Sequence, residues 1–303
     1  MRRRWTSHWA IQGGRLLRLV LAVAGVSWAC GASIAVASNL DKQIVALSTN
    51  DGIVVATFTD QAGDADLQAA MPELRAQGVE GISLRGTPVR TLAPLRGMTH
   101  LRTLDICGSL VRDVTPLAGL PGLRSVNLQF LPVSDLTPLS GLTELETLNL
   151  GGTEVRNLGP LAGLTKLRHL VLAVTRVRDL SPLANLRDLR FLDLGSTSVS
   201  DVRPLASMTG MRFLNLNGAP LDDLRPLRGM VQLEELNLVG TQVRDLAPLA
   251  RLAMLQTLDL EGTPVSDVSP LKELRELRAL NLGGSRVTDV TPLAGNAALT
   301  IRR

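Results

Sequence analysis

Apolar residues run through most of this 303-residue chain in one recurring phrase, Leu-x-x-Leu-x-Leu-x-Gly-Thr-x-Val-x-Asp-Leu-x-Pro-Leu-x-x-Leu. Its Pro-Leu step falls at Pro94, Pro116, Pro138, Pro160, Pro182, Pro204, Pro226, Pro248, Pro270 and Pro292, ten copies spaced by 22 residues with no insertion between them. The alternating part (Leu148-Asn149-Leu150, Leu192-Asp193-Leu194, Leu258-Asp259-Leu260) has the period of a strand with one buried face, so each repeat predicts one short strand. Glycine follows where the chain corners (Gly152, Gly240, Gly262). Phe130, Val174 and Ser196 stand in the same column, from which we expect a soft corner that does not demand a positive φ.

Proline sits in the return segment, where its missing N–H removes no sheet hydrogen bond and where it pushes the preceding residue towards extended geometry. A strand, two corners and a return leave no room for a long helix within 22 residues, so extended or 3₁₀ turns are expected on the outer side. The product is a thin-walled solenoid whose leucines are buried against both neighbouring repeats.

These residues resemble the 22-residue bacterial leucine-rich repeats of the internalins, down to the phrase DLxPLxxLxxLxxLxL carried by Asp179 to Leu194 (DLSPLANLRDLRFLDL), and the likeness spans roughly residues 81 to 301. The resemblance implies an α/β solenoid of leucine-rich repeats, right-handed, with a parallel β-sheet on the concave face and a 3₁₀ or extended convex side. It departs from that family where an inward asparagine ladder is usual: here stand Thr87, Thr153, Thr175, Thr197, Thr241 and Thr263, with Ser109 and Ser285, and with Leu131 and Ala219 as gaps. A hydroxyl can still donate once to a neighbouring carbonyl.

The first 37 residues are of another kind. Arg2, Arg3, Arg4, Arg15 and Arg18 precede an apolar run from Leu19 to Ala37 that ends in the small-x-small step Ala35-Val36-Ala37, the arrangement of a cleaved secretion signal. An uncleaved anchor is the rival, because the run approaches the roughly 20 residues that span a bilayer. The domain plan is a signal at 1–37, a cap at 38–80 and the repeats at 81–303. In the cap, apolar runs flank Asn50-Asp51-Gly52 as in a hairpin, and Leu67, Ala70, Met71 and Leu74 form one helical stripe over 64–77, interrupted by Pro72. Asn296 to Arg303 is too short for a second cap, so either Arg302 and Arg303 solvate the rim or a partner covers it, as a monomer or in end-to-end association.

Composition then changes the picture once. The leader holds five of the 32 Lys+Arg and none of the 28 Asp+Glu, leaving 27 against 28 in the remainder. The basicity is therefore targeting and not nucleic-acid affinity. Trp5, Trp9 and Trp28 leave with it, and four phenylalanines without a tyrosine offer no stacking platform to single-stranded nucleic acid. Cys107 has no disulfide partner once Cys30 is removed.

Chemistry-bearing residues are sparse. His169 and Cys107 share the strand surface but lie three repeats, about 14 Å, apart, too far for a nucleophile-base pair. Glu235, Asp259 and Glu261, with Glu234 nearby, project from an open sheet without convergent carbonyls and are read as a solvated acidic face; no cofactor or metal is expected. The Asp column of the return (Asp113, Asp135, Asp179, Asp201, Asp223, Asp245, Asp267, Asp289) is read as capping of local turns. The centre column of the sheet surface (Ser83, Asp105, Asn127, Asn149, Val171, Asp193, Asn215, Asn237, Asp259, Asn281) is read as an exposed polar strip.

One column breaks the repetition. The position before the inner leucine is small or polar at Thr103, Ser125, Thr147, Thr257 and Ala279, but reads His169, Phe191, Phe213, Glu235 in four consecutive repeats. With Arg168, Arg190 and Arg212 beside them, and Asp193 and Asn215 next along, these residues predict exposed rings edged by guanidinium groups, the composition of binding hot spots. The expectation is a non-enzymatic extracytoplasmic module, periplasmic or secreted, that binds a protein or peptide through its concave sheet and touches a membrane only through an uncleaved N-terminal segment. A passive envelope component and a glycan-binding module are the alternatives.

Overall fold

The computed structural model describes residues 33–34, 44–50 and 53–303, with side chains from Ile53 onward. The expected signal segment therefore lies outside the described residues, apart from Ser33–Ile34 (β1), which pairs antiparallel with Leu47 and Ser48. Among the described residues no helix is long and apolar enough to cross a membrane.

One sheet of 14 strands runs in strict chain order. Ile44–Asn50 (β2) is antiparallel to Ile53–Phe58 (β3), and β3 turns the sheet parallel by pairing with Gly81–Ser83 (β4). Three-residue strands then follow once per repeat, from Thr103–Asp105 (β5) to Ala279–Asn281 (β13), and Thr300–Arg302 (β14) ends the ladder. The register never slips: Leu192 pairs with Leu170 on one side and Leu214 on the other. Equivalent positions of successive repeats therefore stand side by side, about 4.8 Å apart.

The return segments carry the expected 3₁₀ turns, one per repeat, from Ala93–Leu95 to Thr291–Leu293. Proline lies in the first turn of each, where its absent N–H has no partner to lose. The side chains that alternate inward, such as Leu148, Leu150, Val155, Leu158, Leu161, Leu164 and Leu167, are within 1% of complete burial, and only towards the C-terminal end do inner positions such as Val287 and Val290 become partly exposed. Truncating any of these leucines to alanine removes about 2 to 5 kcal/mol.

The N-terminal side is closed by a helix, Asp64–Ala76 (α1), whose buried residues are Leu67, Ala70, Met71 and Leu74, the stripe read from the sequence. Two polar ties fix it to the first repeat. Asp64 accepts from the N–H groups of Arg90 (2.8 Å) and Thr91 (3.1 Å), and Arg75 donates to the carbonyls of Pro94 and Arg96. In that repeat the turn-capping column holds Thr91 in place of Asp, and its hydroxyl accepts from the N–H of Ala93.

The corner after each strand is not soft. Glycines of that column have φ between 65° and 70°, and Phe130, Val174 and Ser196 adopt φ of 63°, 58° and 55° in the same place. The reason is that the residue is clamped from both sides. Its N–H donates to the next repeat (Phe130 to the Gly151 carbonyl, Val174 to that of Gly195), while the following residue closes a turn back onto the strand. Thr175 and Thr197 do so by donating their hydroxyls to the carbonyls of Leu172 and Leu194, at 2.6 and 2.7 Å. This turn carries φ above zero at its third residue, as types II and I′ do, so the solenoid imposes a conformation that valine strongly disfavours. The same hydroxyl bond is made by Thr87, Thr153, Thr241 and Thr263, so each threonine of the column makes a buried bond within its own repeat, with Leu131 and Ala219 as gaps.

Candidate functional site

The outward row His169, Phe191, Phe213, Glu235 is brought together by in-register pairing of β8 (His169–Val171), β9 (Phe191–Asp193), β10 (Phe213–Asn215) and β11 (Glu235–Asn237). Parallel strands place like side chains directly above one another, and the rings respond by stacking. Phe191 and Phe213 lie 4.1 Å apart between centroids at 9°, and the His169 ring is 6.1 Å from Phe191. The expectation of exposed rings fails at Phe191: its side chain points outward, but His169 and Phe213 enclose it and leave it 5% exposed. Phe213 and His169 are half-buried.

The polar neighbours divide. Arg190 was expected at the rim, yet its guanidinium folds back to donate to the carbonyls of Arg187 and Leu189, lying so close over Gly210 that a Cβ there would meet it at 2.6 Å. Arg212 is held 3.6 Å from Glu234. Arg168 alone of the three has no ion pair among the described residues. Burial, and then the Arg168 charge, hold the His169 imidazole below its ordinary pKa, which favours the neutral ring. Burial and the adjacent Glu234 push the Glu235 carboxyl up.

The side chains of Asp193 and Asn215 are engaged in hydrogen bonds within the sheet edge. Asp193 accepts from the Gly195 N–H (2.9 Å) and from the Asn215 side-chain amide (2.8 Å), and Asn215 accepts from the Asn217 N–H. The same i to i+2 bond is made by Asp105, Asn127, Asn149, Asn237, Asp259 and Asn281. The column read as an exposed polar strip is therefore a set of turn caps in which Asp105, Asn127, Asp259 and Asn281 are buried. Burial raises the carboxyls of Asp105, Asp193 and Asp259. Asp105 is 1% exposed and its second oxygen, Oδ2, has no hydrogen-bond donor, with Arg85 at 3.8 Å. Glu261 of the acidic group accepts from Asn281.

The return-segment aspartates cap turns as read. Asp113, Asp135, Asp179, Asp201, Asp223, Asp245, Asp267 and Asp289 each accept from the N–H two residues on, at 2.8 to 2.9 Å. Cys107 is a buried free thiol.

The comparisons agree with this geometry. A family model described as Leucine Rich repeats (2 copies) matches residues 143–185. Among solved structures, the internalin inlF of Listeria monocytogenes is similar with a TM-score of 0.70 and 24% identity, covering 82% of this chain and 86% of that one. Internalin C2 of the same organism gives 0.51 at 29% identity, covering 78% and 92%. A leucine-rich repeat protein of Leptospira interrogans gives 0.70 at 18% identity, covering 78% of this chain and 62% of that one. No curated protein matches the chain by sequence. Period, register and neighbours agree on the fold, a solenoid of leucine-rich repeats similar to those of the internalins.

Proposed function

We propose that the chain is an exported binding module, not an enzyme, and that it engages a protein partner on the sheet face around His169, Phe191 and Phe213. Leucine-rich repeat solenoids act through their extended inner surfaces, and the observation that supports this site is the ring stack itself. It is a flat apolar step within a row otherwise built of Thr103, Ser125, Thr147, Thr257 and Ala279. One end carries the unpaired Arg168 and the other Glu234 and Glu235, so the step has a charge of each sign at its ends. That bipolar surround suits a polypeptide carrying both charges better than a neutral sugar ring. Export is proposed from the Arg-rich, apolar leader that ends at Ala35-Val36-Ala37.

The test is saturable binding of envelope proteins to the immobilised chain beginning at Ser38, compared with Phe213→Ala and Arg168→Glu. Loss of binding in both, with Arg168→Glu melting as the parent does and Phe213→Ala still folding cooperatively, supports the site. A chain that retrieves nothing saturable is a passive envelope component, and binding that survives both changes places the contact elsewhere.

A further inference from the structure

The corner edge of the solenoid carries a second departure from repetition, and it does not depend on the sheet-face reading. Three of the most exposed large apolar side chains lie there within four consecutive repeats: Leu110 (46% exposed), Phe130 (64%) and Val174 (62%). Phe130 and Val174 hold positive φ, where Gly218, Gly240, Gly262 and Gly284 stand in the later repeats. Residues other than glycine held in this region carry backbone strain, and these two recover little by burial. The Phe130 ring is seated beside Gly152, where an added Cβ would lie 2.5 Å from its Cδ1, so a bare corner in the next repeat makes room for it.

The charges of this edge are also uncommitted. Arg112, Arg156, Arg176 and Arg178 are exposed and form no ion pair among the described residues. Arg244 and Arg286, in the same columns of later repeats, are likewise exposed and without an ion pair among the described residues but stand without exposed apolar neighbours such as Phe130 and Val174, whereas Arg203 and Arg225 of the turn column are clamped on Asp201 and Asp223. The carboxylates nearby are Glu154, in the same row, and Asp113, Asp135 and Asp179, which are turned to their own turn N–H groups.

We propose that this edge, from Leu110 to Arg178, is an interaction surface for a short segment of a partner polypeptide that carries carboxylates beside apolar side chains. The arginines supply charge complementarity, and four repeats at about 4.8 Å span about 14 Å, the reach of roughly four to five extended residues. A uniformly anionic lipid surface fits less well, because Glu154 stands among the arginines.

The test is fluorescence anisotropy of the full chain with a short labelled peptide alternating Leu and Glu, against peptides alternating Leu and Lys or Ser and Glu, and against phosphatidylglycerol vesicles. The Leu-Glu peptide should bind most tightly. Phe130→Gly combined with Val174→Gly should weaken it by roughly tenfold or more, with melting unchanged or raised because glycine suits the corner. Arg156→Glu should weaken it in a salt-dependent way. Absence of Leu-Glu binding, equal binding of the three peptides, affinity untouched by the double glycine change, or vesicle binding that shares its dependence on Phe130 would each overturn the proposal.

Discussion

Phe191 and Phe213, one repeat apart, hold their rings 4.1 Å apart at 9°, with His169 beyond. The consequence is that an outward-pointing residue contributes to stability. Phe191→Ala should lower unfolding free energy by about 2 to 3 kcal/mol, combining burial of one aromatic side chain with a stacked pair. Leu192→Ala, one residue on, should lower it by about 2 to 5 kcal/mol. Urea titration of Phe191→Ala, Phe213→Ala and the double variant should give a coupling of about 0.5 to 1.5 kcal/mol. Additive losses would mean that the rings do not interact.

Gly152→Ala should destabilise the chain by more than about 1 kcal/mol, because φ there is 69° and the new methyl meets the Phe130 ring. Val174→Gly should do the reverse and raise the urea midpoint. Its relieved strain of about 1 to 3 kcal/mol exceeds the added unfolded-state entropy of about 0.5 to 1 kcal/mol. A lowered midpoint in Val174→Gly would show that the corner does not strain valine.

The two carboxylate columns respond to pH with opposite signs. Hydrogen bonds from Thr115, Thr137, Ser181, Arg203, Arg225, Ser269 and Thr291 depress the turn caps Asp113, Asp135, Asp179, Asp201, Asp223, Asp267 and Asp289. Their contribution is present above the ordinary carboxylate range and lost as pH falls through the lowered folded values. Burial raises Asp105, Asp193 and Asp259, whose contribution is full at acid pH and lost as pH rises through the raised folded values. Asp105→Asn keeps the bond to the Cys107 N–H, as Asn127 does to Gln129, and removes a buried charge with an unmet oxygen. It should raise the urea midpoint at neutral pH, with the gain vanishing in acid. A gain that persists below the carboxylate range would point to another cause.

What was legible in advance was whatever depends on period. The spacing of the Pro-Leu step placed one strand and one return turn in each repeat, and alternation placed Leu192 inside and Phe191 outside. Two things were hidden. Alternation states where a side chain points and not what covers it, so the enclosure of Phe191 and the turn bonds of Asp193 and Asn215 required the register of neighbouring repeats. Corner geometry depends on hydrogen bonds to the next repeat, so Val174 and Phe130 reveal nothing of their φ by residue type and suggest the wrong sign. The departure of those two residues from glycine was visible all the same, and it marked the edge patch.

The thiol gives a simple control. Cys107 is buried and free, so reductant should leave the melting temperature of the chain beginning at Ser38 unchanged. A reductant-dependent fall would require a disulfide.

The central claim, that a partner sits on the ring stack, is tested most directly by carbethoxylation of His100 and His169 in the chain beginning at Ser38, in the presence and absence of the captured envelope partner. His169 is half-buried beside Phe191 and its ring is biased to the reactive neutral form, whereas His100 is exposed on the return side. The account predicts that the partner slows labelling of His169 and leaves His100 unchanged. Equal labelling of His169 with and without partner, or protection of His100 instead, would contradict it.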